Sequence, residues 1–165
     1  MGDNEEEETE REVAPLLVKD VMITQVMTVD VGVTVREAAK KMSESGIGSL
    51  ITVENGRTVG ILTEGDMLKR VIAEGKDPVK TTVKEIMSSP LVVADPNMDL
   101  GVAVELMFQK KIKQLPVVQD NKLIGLVTLT DIARGAPEML KIIKELAAKQ
   151  AVPRNIQKVI DRYIV

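Results

Sequence analysis

Two short stretches of this 165-residue chain could grip a polar ligand: Thr63-Glu64-Gly65-Asp66 and Thr128-Leu129-Thr130-Asp131. A carboxylate offers two acceptor oxygens, enough to receive both hydroxyls of a vicinal diol such as ribose. A threonine hydroxyl one turn away can donate to a phosphate or ribose oxygen. If a helix starts at the aspartate, its first amides also face an anion. The same residues serve equally well as local structure, with Asp66 and Asp131 as helix N-caps and Thr63 and Thr128 as ordinary strand positions. Residue preference alone does not separate the two readings.

Composition excludes more chemistry than it admits. The chain has no histidine and no cysteine, which removes the commonest general base and metal ligand, thiolate nucleophiles, disulfides and cysteine zinc sites. An enzyme built from Ser, Lys, Asp and Glu alone becomes the minority reading, and the chain reads as non-catalytic. A net charge of −3 and a pI near 5.2 argue against a polyanion-binding surface. Phe108 and Tyr163 are the only aromatics, so stacking on nucleic-acid bases is not expected either. No apolar run approaches the roughly 18 residues of a membrane span, and the N-terminus is acidic, so a cytoplasmic location is expected.

The two Thr-x-x-Asp stretches are part of a larger duplication. Val18-Lys19-Asp20-Val21-Met22 returns as Val83-Lys84-Glu85-Ile86-Met87, and Gly60-Ile61-Leu62-Thr63 returns as Gly125-Leu126-Val127-Thr128, both at an offset of 65. Asp30/Asp95, Ala38/Ala103, Met42/Met107, Ile47/Ile112 and Leu50/Leu115 keep the same spacing. Two units are too few for a solenoid but suit one pseudo-twofold domain with paired clefts.

Each unit must position its Thr-x-x-Asp with the elements that precede it. Thr34 followed by Glu37 is a capping-box signature, and Val35, Ala38, Ala39 and Met42 form the apolar stripe of a helix. In the second unit Asp99 takes the N-cap and Leu100, Ala103, Val104 and Met107 repeat the stripe. Strands follow at Leu50–Val53 and Thr58–Leu62, joined through Asn55-Gly56, a type I′ hairpin signal. Leu115–Val118 and Leu123–Val127 repeat them around Asp120-Asn121. Pro116 has no amide proton, so its strand should begin there or lie on an edge. A first strand fits Val26–Val29 and Leu91–Val93, and a second helix runs from Asp66 to about Ala73 and from Asp131 onward. The unit is β-α-β-β-α. The expected organisation is an acidic disordered tail at 1–13, unit one at 14–74, a linker at 75–82, unit two at 83–135 and a helical extension at 136–165, broken at Pro153 before a last helix to Ile160.

The ordered set of these pieces, occurring twice over residues 15 to 135, resembles a tandem cystathionine-β-synthase (CBS) domain pair, or Bateman module. The resemblance implies an α/β fold of two units packed through their sheets, adenosyl ligands held between the units, and regulation of a partner. The ligands implied are AMP, ADP or ATP, with S-adenosylmethionine and NAD behind them. It also implies a homodimer, for which Ala39, Met42, Met107, Phe108 and Leu140–Leu146 are the apolar candidates.

Carried onto this chain, the resemblance places Thr128, Thr130, Asp131 and Leu126 in a principal site. Lys113 and Gln114 lie near the phosphate, and Ile47, Gly48, Ser49, Ile23, Thr24 and Val26 around the adenine. A second site would use Ile61, Thr63, Asp66, Ser88, Pro90, Leu91 and Ile112. The copies are unequal. Lys111, Lys113 and Gln114 stand where the first unit has Gly46, Gly48 and Ser49, and Thr130 stands where it has Gly65, so the Asp131 site ranks first. On charge alone the two lysines serve equally as a solvated edge. With no aromatic near the motifs, the base would lie between aliphatic side chains, and Met22, Met42, Met87 and Met107 fall on core positions.

Overall fold

A computed structural model of the chain describes residues 14–149. The acidic tail, the break at Pro153 and the last expected helix lie outside that range. Unit one comprises α1 (Val18–Val21), β1 (Thr28–Asp30), α2 (Val35–Ser45), β2 (Ser49–Glu54), β3 (Arg57–Thr63) and α3 (Glu64–Met67). A π-helical stretch, Leu68–Ile72, continues α3. Unit two comprises α4 (Val83–Ile86), α5 (Leu100–Lys110), β4 (Gln114–Gln119), β5 (Lys122–Thr128) and α6 (Leu129–Gly135), and α7 (Met139–Lys149) follows. The fold is the mixed α/β pair of repeated units expected from the duplication.

The helix and hairpin signals act as read. The Thr34 hydroxyl accepts the Glu37 amide at 3.2 Å and a Glu37 carboxylate oxygen accepts the Thr34 amide at 3.0 Å, satisfying two otherwise orphaned donors of α2. Asp99 caps α5 by accepting the amides of Gly101 and Val102. Asn55 and Gly56 have φ of 50° and 75°, and Asp120 and Asn121 have 49° and 60°, as a type I′ turn requires. Both hairpins are antiparallel and break register at the same repeat position, Thr52/Val53 and Val117/Val118.

Pro116 lies on an edge strand, one of the two places expected for it, and its effect falls on a neighbouring segment. It lies inside β4, paired with Leu126, and not at the strand's start; β4 is an edge strand because, among the described residues, β5 is its one neighbour in the sheet. Its repeat equivalent, Ile51, donates its amide to Met27 O at 3.1 Å and so ties β1 alongside β2. Proline cannot make that bond. In unit two the expected strand at Leu91–Val93 is accordingly absent, and a single parallel bridge, Ala94 to Val117, takes its place. The first unit therefore has a three-stranded sheet and the second a two-stranded one. In unit one the first strand is also shifted from the expected Val26–Val29 to Thr28–Asp30.

Each repeat donates its first helix to the other repeat's core. The α1 amides of Val18 and Lys19 donate to Met98 O and Pro96 O, and the α4 amides of Val83 and Lys84 donate to Val33 O and Val31 O. Val18 is buried with Leu100, Met107, Leu115 and Leu129 of the second unit, while Val83 and Ile86 are buried with Val35, Met42, Leu50 and Leu62 of the first. The segment 75–82 is engaged as well, since the carbonyls of Thr81 and Pro78 receive the Val35 and Arg36 amides at the start of α2.

Three residues expected to form an exposed dimer surface are instead core. Met42, Met107 and Phe108 are buried inside their own units. The α7 stripe also faces inward: Ile143 is buried, and Met139, Ile142 and Leu146 pack against the second core.

Candidate ligand-binding site

The pseudo-twofold axis is marked by a hydrogen bond between repeat-equivalent residues, Ser49 Oγ to Gln114 Oε1 at 2.8 Å. On either side a crossing segment pairs with the last strand of the other unit. Ile23 exchanges both backbone bonds with Leu126, and Ser88 does the same with Ile61. Gly60 and Gly125 permit this approach, because a β-carbon at Gly60 would lie 2.7 Å from Ser88 O and one at Gly125 would lie 2.9 Å from Ile23 O.

On the Ile23–Leu126 side lies a cavity of about 390 Å³, within the size range of small-molecule sites. Ile23, Val26, Ile47, Gly48, Ser49, Lys113, Gln114, Leu126, Thr128, Thr130 and Asp131 all line it. Thr24 does not; the chain bends there and its side chain is exposed. Gln25, Met27, Gly46 and Ile51 also line the cavity and were not singled out from sequence. Gln25 could have been found, since it lies between chosen neighbours, and Ile51 follows directly on Ser49-Leu50. Lys111 is exposed at the end of α5 and does not line the cavity, which leaves Lys113 as its cation.

The Thr-x-x-Asp geometry differs from both sequence readings. The helices start two residues earlier than expected, at Glu64 and Leu129, so Thr63 and Thr128 are the N-caps and Asp66 and Asp131 occupy the third helical position. Thr128 Oγ accepts the Asp131 amide at 3.0 Å and donates to Asp131 Oδ2 at 2.6 Å. Its proton is therefore committed to the aspartate, which leaves its oxygen as an acceptor. The Leu129 amide is also spent, on Lys113 O at 2.9 Å. The polar groups that the cavity offers an anion are the Lys113 ammonium and the Thr130 hydroxyl.

The Asp66 corner is arranged otherwise. Asp66 Oδ2 accepts both the amide and the hydroxyl of Thr63, at 2.9 and 3.0 Å, and Oδ1 accepts Ser88 Oγ at 3.0 Å. Arg70 lies 3.4 Å from the same Oδ1, and the aspartate is only 8% exposed. Among the described residues, Ser88, Ile61, Thr63 and Asp66 come together, but Ile112 packs against the second unit's core and Pro90 is exposed. Asp66 lines neither the Asp131 cavity nor the one between α2 and α3.

The CBS-domain family model matches twice, over residues 18–73 and 83–138, the two units just described. The chain belongs to the CBS-domain family. CBS pairs are regulatory modules, and proteins carrying them are typically regulatory and not catalytic. The CBS domain-containing protein YhcV of Bacillus subtilis is 45% identical over 116 residues, which are 70% of this chain and 82% of that protein. A hexameric CBS-CP12 protein from bloom-forming cyanobacteria superposes with a TM-score of 0.71 at 27% identity, covering 92% of this chain and 93% of that one. A CBS domain pair solved in complex with 5′-methylthioadenosine and S-adenosyl-L-methionine gives a TM-score of 0.66 at 31% identity, covering 73% of this chain and 94% of its own. No described helix of this CBS pair is long and apolar enough to cross a membrane.

Proposed function

We propose that this CBS pair is a regulatory module that takes an adenosine-containing ligand into the Asp131 cleft, with AMP, ADP and ATP ahead of S-adenosylmethionine and NAD. The observation that carries this is the convergence in one cavity of a carboxylate, a free-standing hydroxyl position, a cation and an aliphatic wall drawn from both units. Asp131 receives the ribose diol, Lys113 and Thr130 meet the phosphate, and Ile23, Val26, Ile47 and Leu126 enclose the base. The adenosyl ligands of the related CBS pair support the ligand class.

Because the cavity straddles the axis, a ligand there biases how the two units sit against each other, and a partner protein can read that change. The reading includes self-association, as a homodimer in the cytoplasm; the hexameric relative supports assembly in general.

Thermal-shift titration with AMP, ADP, ATP, S-adenosylmethionine and NAD tests the reading. A ligand at a hundred times its Kd stabilises by about 2.7 kcal/mol, and Asp131→Asn should abolish the shift while keeping an oxygen for the Thr128 hydroxyl. If no ligand raises the melting temperature of the wild-type chain, Asp131 is a helix-start residue and the module is structural.

A further inference from the structure

The two Thr-x-x-Asp corners differ most at a repeat position four residues past the aspartate, which is Arg70 in one unit and Gly135 in the other. Arg70 Nη1 donates to Ile86 O at 2.7 Å, to Met87 O at 3.0 Å and to Ser88 Oγ at 3.2 Å, and lies 3.4 Å from Asp66 Oδ1. The guanidinium thus reaches from the π-helical stretch onto the end of α4 and the crossing segment. One of its partners, Ser88, is the repeat equivalent of Ile23, which lines the Asp131 cavity. Together with Ser88 Oγ and the two bonds from Thr63, the guanidinium engages both oxygens of Asp66, the acceptors a ribose diol would need. Hydrogen bonds to charged groups are about twice as strong as neutral ones, so a neutral diol does not displace this set readily. At position 135 there is no side chain, and a β-carbon there would already lie 3.2 Å from Val21 Cγ1.

We propose that Arg70 is a built-in plug of the Asp66 corner: it restricts the chain to one adenosyl-ligand site, and its removal converts that corner into a second. The proposal rests on the adenosyl reading of the Asp131 cleft for its ligand class, and the measurements below separate the two.

Isothermal titration with ATP, ADP, AMP and S-adenosylmethionine is run on the wild-type chain, Asp131→Asn, Arg70→Gly and Arg70→Gly combined with Asp66→Asn or with Asp131→Asn. The wild type should take one ligand per chain and lose it in Asp131→Asn. Arg70→Gly should take two, the added event disappearing with Asp66→Asn and surviving Asp131→Asn. A wild type that already binds two, the second lost in Asp66→Asn, overturns the plug, and so does a folded Arg70→Gly that still binds one. Weaker first-site binding in Arg70→Gly would make Arg70 a ligand contact and also overturns it. Binding by Arg70→Gly but not by wild type would sink the Asp131 reading and leave the plug standing; no binding by either sinks both. Arg70→Met, which keeps the aliphatic stem, replaces Arg70→Gly if circular dichroism shows that the glycine variant fails to fold.

Discussion

Lys111 ends α5 in the left-handed region, with φ 55° and ψ 39°, a conformation that its repeat equivalent Gly46 adopts at φ 64°. A side chain there costs about 1 kcal/mol that glycine avoids. Lys111→Gly is therefore expected to stabilise the chain by about 1 kcal/mol, raising the melting temperature by about 2–4 °C for a chain of this size. Because Lys111 does not line the cleft, ligand affinity should stay unchanged, whereas Lys113→Ala should weaken any phosphorylated ligand. Denaturant midpoints together with titration of both variants check this; a destabilised Lys111→Gly would show that the lysine makes a compensating contact. At this scale the repeat made much of the cleft legible, because Asp131, Thr130 and Lys113 stand out where the copies diverge. Arg70 did not stand out. Its role depends on how far a long side chain reaches from a π-helical stretch onto a segment 16 to 18 residues away, and no local pattern encodes that reach.

The helices α2 and α4 share a device that makes their stability depend on acid. Glu37 and Glu85 each accept the backbone amide and then the hydroxyl of the threonine at the helix start, Thr34 and Thr82, and these bonds hold both carboxyls below their ordinary range. A carboxylate with a depressed folded pKa contributes stability that is fully present above its unfolded pKa, the ordinary glutamate value, and is lost as pH falls through the lower folded value. Urea midpoints should show wild type above the Glu37→Gln/Glu85→Gln double variant at neutral pH, with the gap closing as pH drops below that of the free carboxyl. A constant gap across the acid range would show that the carboxylate bonds do not couple to folding. The Thr34-Glu37 pair was readable in sequence by its spacing before an apolar stripe. The Thr82-Glu85 pair opens a helix of only four residues, where no stripe exists to announce it. The missing strand at Leu91–Val93 was hidden for a related reason: the segment's own residues favour a strand, and the cause of its loss is Pro116, more than twenty residues downstream.

The exchange of first helices governs how the molecule holds together. Val18 and the two residues Val83 and Ile86 are buried in the core of the opposite repeat, and the first amides of α1 and α4 are satisfied by carbonyls of the segment that leads into the opposite repeat's long helix. Sequence periodicity revealed two units and their order but placed each short helix with the unit it precedes, since partner choice between distant segments leaves no trace in local spacing. A chain cut near residue 76 would strip each core of its incoming helix, and truncating even one large buried side chain typically costs about 2–5 kcal/mol. Separately expressed fragments 14–76 and 77–149 are accordingly expected to lack cooperative unfolding as monomers and to regain it when mixed. A second route to cooperativity is self-association of 14–76, with a second copy's α1 standing in for the equivalent α4. Circular dichroism melts and size-exclusion chromatography of each fragment and of the equimolar mixture decide between these. A monomeric 14–76 that melts cooperatively would mean that the first core is complete without α4, and that the axis joins two finished domains instead of building one from two halves.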